Sequence, residues 1–128
     1  MMTPLTEINA RRILVVEDEM LIAMNFEELL AELGHTVIAV ATRLPQALTL
    51  AADSDIDFAI LDLNLAGSLT FPVAEVLRKR GAPFMFASGY GTHGLIDGYH
   101  DVHLLPKPFG LEELEKTIRL ALSTVVRP

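Results

Sequence analysis

The residues of this chain that could do chemistry together are Glu17 and Asp18, Asp62, Ser88 and Lys107. A carboxylate can attack phosphorus to form an acyl phosphate, a hydroxyl can donate a hydrogen bond to a phosphoryl oxygen, and an ammonium can neutralise another. Asp62 is the candidate nucleophile, with Ser88 and Lys107 as the groups that would act on the phosphoryl oxygens. Three carboxylates in one small pocket cannot all stay ionised without a proton or a cation among them. Their hard oxygens suit Mg2+, which takes one or two carboxylates, some backbone oxygen and several waters, and so leaves positions for phosphate oxygens.

Residues this far apart need a fold that gathers them. Each acidic or polar member follows an apolar run that reads as a buried strand, residues 13–16, 58–61 and 83–87, and Lys107 follows the weaker run 102–105. Helical patterns alternate with these runs. The first helix is expected near residues 20–33, with Ile22, Phe26, Leu29, Leu30 and Leu33 on one stripe, Asn25, Glu28 and Glu32 opposite, and Gly34 as a stop. A second strand over residues 36–40 precedes a helix from Leu44 to about Ala52, opened by Pro45. A loop over residues 63–69 leads to a third helix that has Pro72 near its start and ends in Arg78-Lys79-Arg80-Gly81, which favours the helix dipole. A last helix is expected over about residues 111–124.

Five alternations of strand and helix predict the α/β class: a doubly wound, five-stranded parallel sheet of order 2-1-3-4-5 with helices on both faces. In that order the first and third strands are neighbours at the point where the winding reverses, which is where ligands sit. Glu17, Asp18 and Asp62 would then share one pocket. The weak link is the fourth helix. Only 18 residues separate Ser88 from Lys107, four of them Gly89, Gly91, Gly94 and Gly98, so that helix is expected to be short or mobile.

The 128 residues, 51% of them apolar, suit one domain with a two-sided core, and residues 1–11 and 125–128 are expected to be tails around a domain over 12–124. No separate output domain is expected within these 128 residues. Against 10 basic residues stand 17 acidic ones, a net charge of -7, which disfavours direct binding to nucleic acid or to an anionic membrane. The absence of cysteine removes disulfides and thiolate chemistry and fits a cytoplasmic setting. Arg11-Arg12 is followed by too short an apolar run for a signal peptide or a membrane span.

Taken singly, every site residue has an ordinary reading. Glu17 and Asp18 could cap a helix, Asp62 a loop, Ser88 could sit in a turn, and Lys107 could be a solvated lysine. Lys107-Pro108-Phe109 could be a simple turn, and Pro108 is a candidate for a cis peptide bond. The conjunction is what is specific: the right groups at the ends of four strands, in the right order, in one domain-sized chain. In this the sequence resembles the response-regulator receiver family from about Arg12 to Thr124. The acidic pair resembles Glu17-Asp18, the phosphoacceptor Asp62 in Leu61-Asp-Leu-Asn64, the hydroxyl switch residue Ser88, and the lysine Lys107 in Lys-Pro-Phe109.

That resemblance implies that Asp18, Asp62 and the backbone carbonyl of Asn64 hold Mg2+, with Glu17 assisting through water. It implies a phosphohistidine donor on a sensor histidine kinase or a histidine phosphotransfer protein, a downstream protein partner, and two-component phosphorelay signalling by a stand-alone receiver. The chain would be an autocatalytic phosphoacceptor, a switch with no separate substrate turnover. Two positions depart from the family pattern. The aromatic residue usually found three positions before the lysine is Leu104, and Tyr90 stands two residues past Ser88, in Phe86-Ala-Ser-Gly-Tyr90. This is similar to the F-A-T-G-Tyr receivers of alphaproteobacteria, which include single-domain members. The switch is accordingly expected to involve Ser88, Tyr90 and Leu104, with phosphorylation ordering part of residues 89–101.

Competing readings fail on context. Gly89-Tyr-Gly91-Thr-His-Gly94 matches G-x-G-x-x-G, but it follows the fourth strand rather than the first. A flavin phosphate would meet Glu17-Asp-Glu19 after the first strand and be repelled. A Mg2+-dependent phosphatase with an Asp-x-Asp pair would need an acid where Asn64 stands. His93, His100 and His103 lack metal-ligand spacing and read as surface residues.

Overall fold

The computed structural model describes residues 10–89 and 95–123. Its strands are β1 (Arg12–Val16), β2 (Thr36–Ala41), β3 (Phe58–Asp62), β4 (Asn64–Leu65), β5 (Ser68–Leu69), β6 (Phe84–Ser88) and β7 (Leu104–Pro106). Its helices among the described residues are α1 (Met20–Glu32), α2 (Leu44–Asp53), α3 (Phe71–Arg80) and α4 (Leu111–Ser123). The parallel sheet runs β2-β1-β3-β6-β7, so the expected order 2-1-3-4-5 is the observed one. Together with helices on both faces it makes the doubly wound, flavodoxin-like arrangement.

Side chains alternate across a strand, and the continuous apolar runs serve two faces at once. Leu14, Val16, Ala59, Leu61 and Phe86 point to one side and pack with Ala47 and Ala51 of α2 and Val73, Ala74 and Leu77 of α3. Ile13, Val15, Phe58, Ile60, Met85 and Leu105 point to the other, against Phe26 and Leu30 of α1 and Leu114 and Ile118 of α4. β3 is buried along its whole length, as the central strand of such a sheet must be.

The helix punctuation follows the sequence. α1 buries Ala23, Phe26 and Leu30 and stops where Gly34 N donates to Ala31 O and His35 N donates to Leu30 O. α3 carries proline in its first turn, three basic residues in its last, and Gly81 in the left-handed region at φ 78°, a conformation that costs a residue with a Cβ about 1–2 kcal/mol. No helix among the described residues is long and apolar enough to cross a membrane.

Two segments depart from expectation. Residues 63–69 are not a plain loop: β4 and β5 pair antiparallel across a two-residue turn, Ala66 at φ 51° and Gly67 at φ 91°. Positive φ at both central residues is what a tight hairpin needs, and the Asn64 side-chain oxygen supports it by accepting from Gly67 N at 2.9 Å. Ala-Gly is a weak hairpin signal, because alanine pays a steric cost there that asparagine largely avoids. The second departure lies between β6 and β7. The described part of that segment, residues 95–103, where a short or mobile fourth helix is expected, forms turns, with Tyr99 N donating to Ile96 O and Val102 N to Tyr99 O, both at 3.0 Å. Buried side chains hold it to the sheet, since Leu95 and Tyr99 join the core on the α2–α3 side.

Candidate functional site

The backbone of the sheet fixes where the site residues emerge. Val16 lies between Ala41 and Leu61 in register, so Glu17 and Asp18 leave β1 beside the end of β3, and Glu17 N donates to Ala41 O at 2.9 Å. Asp62 lies opposite Ala87, and Leu63 N continues that ladder to Ala87 O. Ser88 lies opposite Pro106, and Lys107 N donates to Ser88 O at 2.9 Å, which pins the lysine beside the serine. The Lys107–Pro108 peptide is cis. All four strand ends open onto one cleft of about 770 Å³, lined by Asp18, Asp62, Asn64, Ser88 and Lys107 and walled on one side by the hairpin at Ala66, Gly67 and Leu69.

The acidic pair divides its roles. Glu17 is 1% exposed and lies beneath the cleft, whereas Asp18 is half-buried and lines its mouth. Neither is the α1 N-cap. That residue is Glu19, whose amide donates to Glu17 Oε2 at 3.1 Å. Lys107 Nζ bridges the remaining charge, 2.8 Å from Glu17 Oε1 and 3.3 Å from Asp62 Oδ2.

One ammonium among three carboxylates leaves a net negative site. Burial is the main force that raises the Asp62 carboxyl, the Glu17 charge adds to it, and Lys107 only partly opposes both, so its pKa is pushed up to about 6. Lys107 moves the other way from what burial dictates. Desolvation pulls it down, but the hydrogen bond to Glu17 and the charges of Asp62 and Glu17 outweigh that and raise it. The lysine is therefore fully charged, while the Asp62 carboxyl it touches at 3.3 Å holds a proton more readily than an ordinary aspartate.

The donor set fits a hard divalent cation. Ligand oxygens of Glu17, Asp18 and Asp62 all lie within 4.8 Å of one another, and the set contains no sulfur or imidazole. Asn64 lines the same cleft, but its side-chain oxygen is committed to the hairpin turn, so only its backbone carbonyl is a suitable ligand.

The residues expected to form the switch are placed unequally. Ser88 is buried at the end of β6, and Leu104 opens β7 opposite Phe86. Tyr90 lies outside the described residues. An aromatic residue that the sequence did not single out, Tyr99, packs on this face instead, its ring 4.9 Å from Phe71 and 6.0 Å from Phe86. The Tyr99 hydroxyl donates to Glu75, and the Arg78 guanidinium sits 4.2 Å over its ring while Arg78 Nη2 donates to Gly98 O at 2.7 Å. Burial and the Glu75 carboxylate together push the Tyr99 phenol up to about 12. A tyrosine in a glycine-rich stretch carries no mark of this role, because its partners Glu75 and Arg78 lie on a helix distant in sequence. Of the histidines, His100 is exposed 3.5 Å from Asp97, His103 is half-buried, and His93 lies outside the described residues.

The sheet order, the acidic cleft and the lysine at the last strand end are those of a signalling receiver. The family model described as "Response regulator receiver domain" matches residues 13–119, and the chain belongs to that family. That family is one of phosphoacceptor modules in two-component signalling, a class that in general binds Mg2+ in an acidic pocket and turns over no substrate. Among curated proteins the chain is 32% identical over 127 residues to the transcriptional regulatory protein PdtaR of Mycobacterium tuberculosis, covering 94% of this chain and 62% of that protein. It thus spans less than two thirds of that relative's length. Among solved structures it is similar to the PhyR receiver domain of Erythrobacter litoralis, with a TM-score of 0.81 and 28% identity over 95% of this chain and 97% of that one. It is also similar to the BeF3-activated conformation of SdrG from Pseudomonas melonis Fr1, with a TM-score of 0.75 and 39% identity over 94% and 98% of the two chains.

Proposed function

We propose that Asp62 is the phosphoacceptor of this receiver and that its donor is a phosphohistidine on a sensor histidine kinase or a phosphotransfer protein. The observation that carries this reading is the placement of Lys107 Nζ between Glu17 and Asp62 at the floor of a cleft whose mouth holds Asp18. A carboxylate oxygen of Asp62 attacks phosphorus, the P–N bond to the donor imidazole breaks, and its electron pair stays on the imidazole nitrogen, leaving an aspartyl phosphate. Lys107 neutralises one phosphoryl oxygen and Ser88 donates to another, so charge that develops during transfer meets groups already in position. Mg2+ held by Asp18, Asp62 and the Asn64 carbonyl, with Glu17 behind them, would neutralise the phosphoryl charge and hold Asp62 ionised.

In this reading the chain turns over no separate substrate, and its product is its own modified state in the cytoplasm. The signal leaves through Ser88 and the segment that follows it, Tyr90 included, toward a downstream protein, since a net charge of -7 disfavours nucleic acid. Incubation with acetyl phosphate and Mg2+ tests the core of the proposal. The expected result is one phosphate per chain, labile to hydroxylamine and absent from Asp62→Asn. Equal labelling of that variant would overturn it.

A further inference from the structure

Thr70 is a fully buried hydroxyl that nothing in the phosphoacceptor chemistry requires. It stands at the N-cap of α3, where a threonine ordinarily accepts a hydrogen bond from the first turn of its helix. Here its side chain makes no such bond. Its hydroxyl points back along the chain and donates to the carbonyl of Asp62 at 2.6 Å, with Leu63 O farther off at 3.4 Å. A hydroxyl has one proton, and the short contact claims it. Thr70 N donates in turn to Leu63 O at 3.0 Å, while Thr70 O accepts from Val73 N and Ala74 N at the start of α3.

One residue therefore closes the base of the β4–β5 hairpin and ties the end of β3 to the first turn of α3. The peptide it grips is the one from which the Asp62 carboxylate projects, and Asn64 follows two residues on. We propose that Thr70 is a positioning residue for the phosphoacceptor: its hydroxyl holds the Asp62 carbonyl so that the Asp62 carboxylate meets Asp18, Glu17 and Lys107 at the distances the cleft requires. The inference rests on the proposed role of Asp62 for its meaning in phosphotransfer, although the position itself can be measured without any transfer.

The test compares Thr70→Val, which keeps the branched shape and removes the hydroxyl, with Thr70→Ser, which restores it. Backbone amide shifts of residues 62–65 in metal-free protein, Mg2+ affinity by calorimetry and the rate of labelling by acetyl phosphate are read at a temperature where melting curves show every variant folded. Loss of one hydrogen bond of ordinary strength predicts Mg2+ binding and labelling about 3- to 10-fold weaker in Thr70→Val, displaced amide shifts at 62–65, and recovery in Thr70→Ser. A Thr70→Val protein with a lowered melting temperature but unchanged Mg2+ affinity and amide shifts overturns the inference, as does a Thr70→Ser protein as impaired as Thr70→Val. Wild-type protein that binds Mg2+ yet takes no label sinks the phosphoacceptor reading instead, and the shifts and affinity of the variants still decide the role of Thr70.

Discussion

Without a divalent cation, the cleft should be a source of instability that Asp62→Asn relieves. The folded state raises the Asp62 carboxyl from 3.8 to about 6, so the ionised form is disfavoured relative to the unfolded chain. A shift of about two units, at roughly 1.4 kcal/mol each, sets an upper bound near 3 kcal/mol, and solvent at the open side of the cleft screens this to about 1–2 kcal/mol. The sign follows from proton binding. Between pH 3.8 and about 6 the native state holds more protons than the unfolded state, so stability falls as pH rises through that window and stays low above it. An asparagine resembles the protonated acid, and Asp62→Asn should therefore be more stable than wild type by about 1–2 kcal/mol at pH 7.5, a rise of roughly 3–8 °C in Tm. Near pH 4 the two proteins should converge. Mg2+ should stabilise the wild type by mass action and the variant much less. Urea unfolding at both pH values, with chelator and then with Mg2+, measures all of this. An Asp62→Asn protein that is less stable than wild type at pH 7.5 without metal would refute the account, because Lys107 would then be compensating Asp62 fully.

Lys107→Met should act in the opposite direction. It strands Glu17, which is 1% exposed and 2.8 Å from the ammonium, and breaking a buried pair costs about 3–5 kcal/mol, which the open cleft reduces to about 2–3 kcal/mol. Urea midpoints at pH 7.5 check it, and a variant as stable as wild type would mean that Glu17 does not depend on the lysine. Tyr99→Phe keeps the packing on Phe71 and Phe86 but removes the bond to Glu75, so chemical denaturation should show a loss of about 1 kcal/mol, against about 3–5 kcal/mol for Tyr99→Ala. Equal losses in the two variants would show that the ring contacts contribute nothing.

How far the sequence reveals this molecule depends on whether a feature is written in local periodicity. The strands of the parallel sheet alternate in register with both cores, so their apolar runs and order are legible, and with them the convergence of residues 17, 18, 62, 88 and 107. The hairpin at residues 64–69 is not legible, since its two-residue turn uses Ala66 where a stronger signal would place asparagine. Thr70 reads as an ordinary helix cap, and only the fold shows its hydroxyl turned toward Asp62. The segment after Ser88 announces trouble through its glycines, but not the way its described part, residues 95–103, is held, with Tyr99 meeting Glu75 and Arg78 on α3. For Thr70 and Tyr99 the missing information is a contact between segments that carry no shared pattern.

The division of the acidic pair bears on how one lysine could serve the site both at rest and in the proposed phosphorylated form. Glu17 and Asp18 leave the end of β1 in succession, and the first goes beneath the cleft while the second stays at its mouth. Lys107 therefore has a permanent buried partner at 2.8 Å and a looser one, Asp62, at 3.3 Å. In the proposed chemistry, conversion of Asp62 to an acyl phosphate would remove its carboxylate charge and bring phosphoryl oxygens near the lysine. The ammonium can turn to them without giving up Glu17, so no buried charge is left alone at any stage. Its backbone amide donates to Ser88 O at 2.9 Å, so a shift of Lys107 would draw on β6 and β7 together. Phe86, two residues before Ser88 on the same strand, is packed against Tyr99. The path by which the cleft could reach the segment after Ser88 thus runs through a core aromatic contact, and it needs no aromatic residue at position 104.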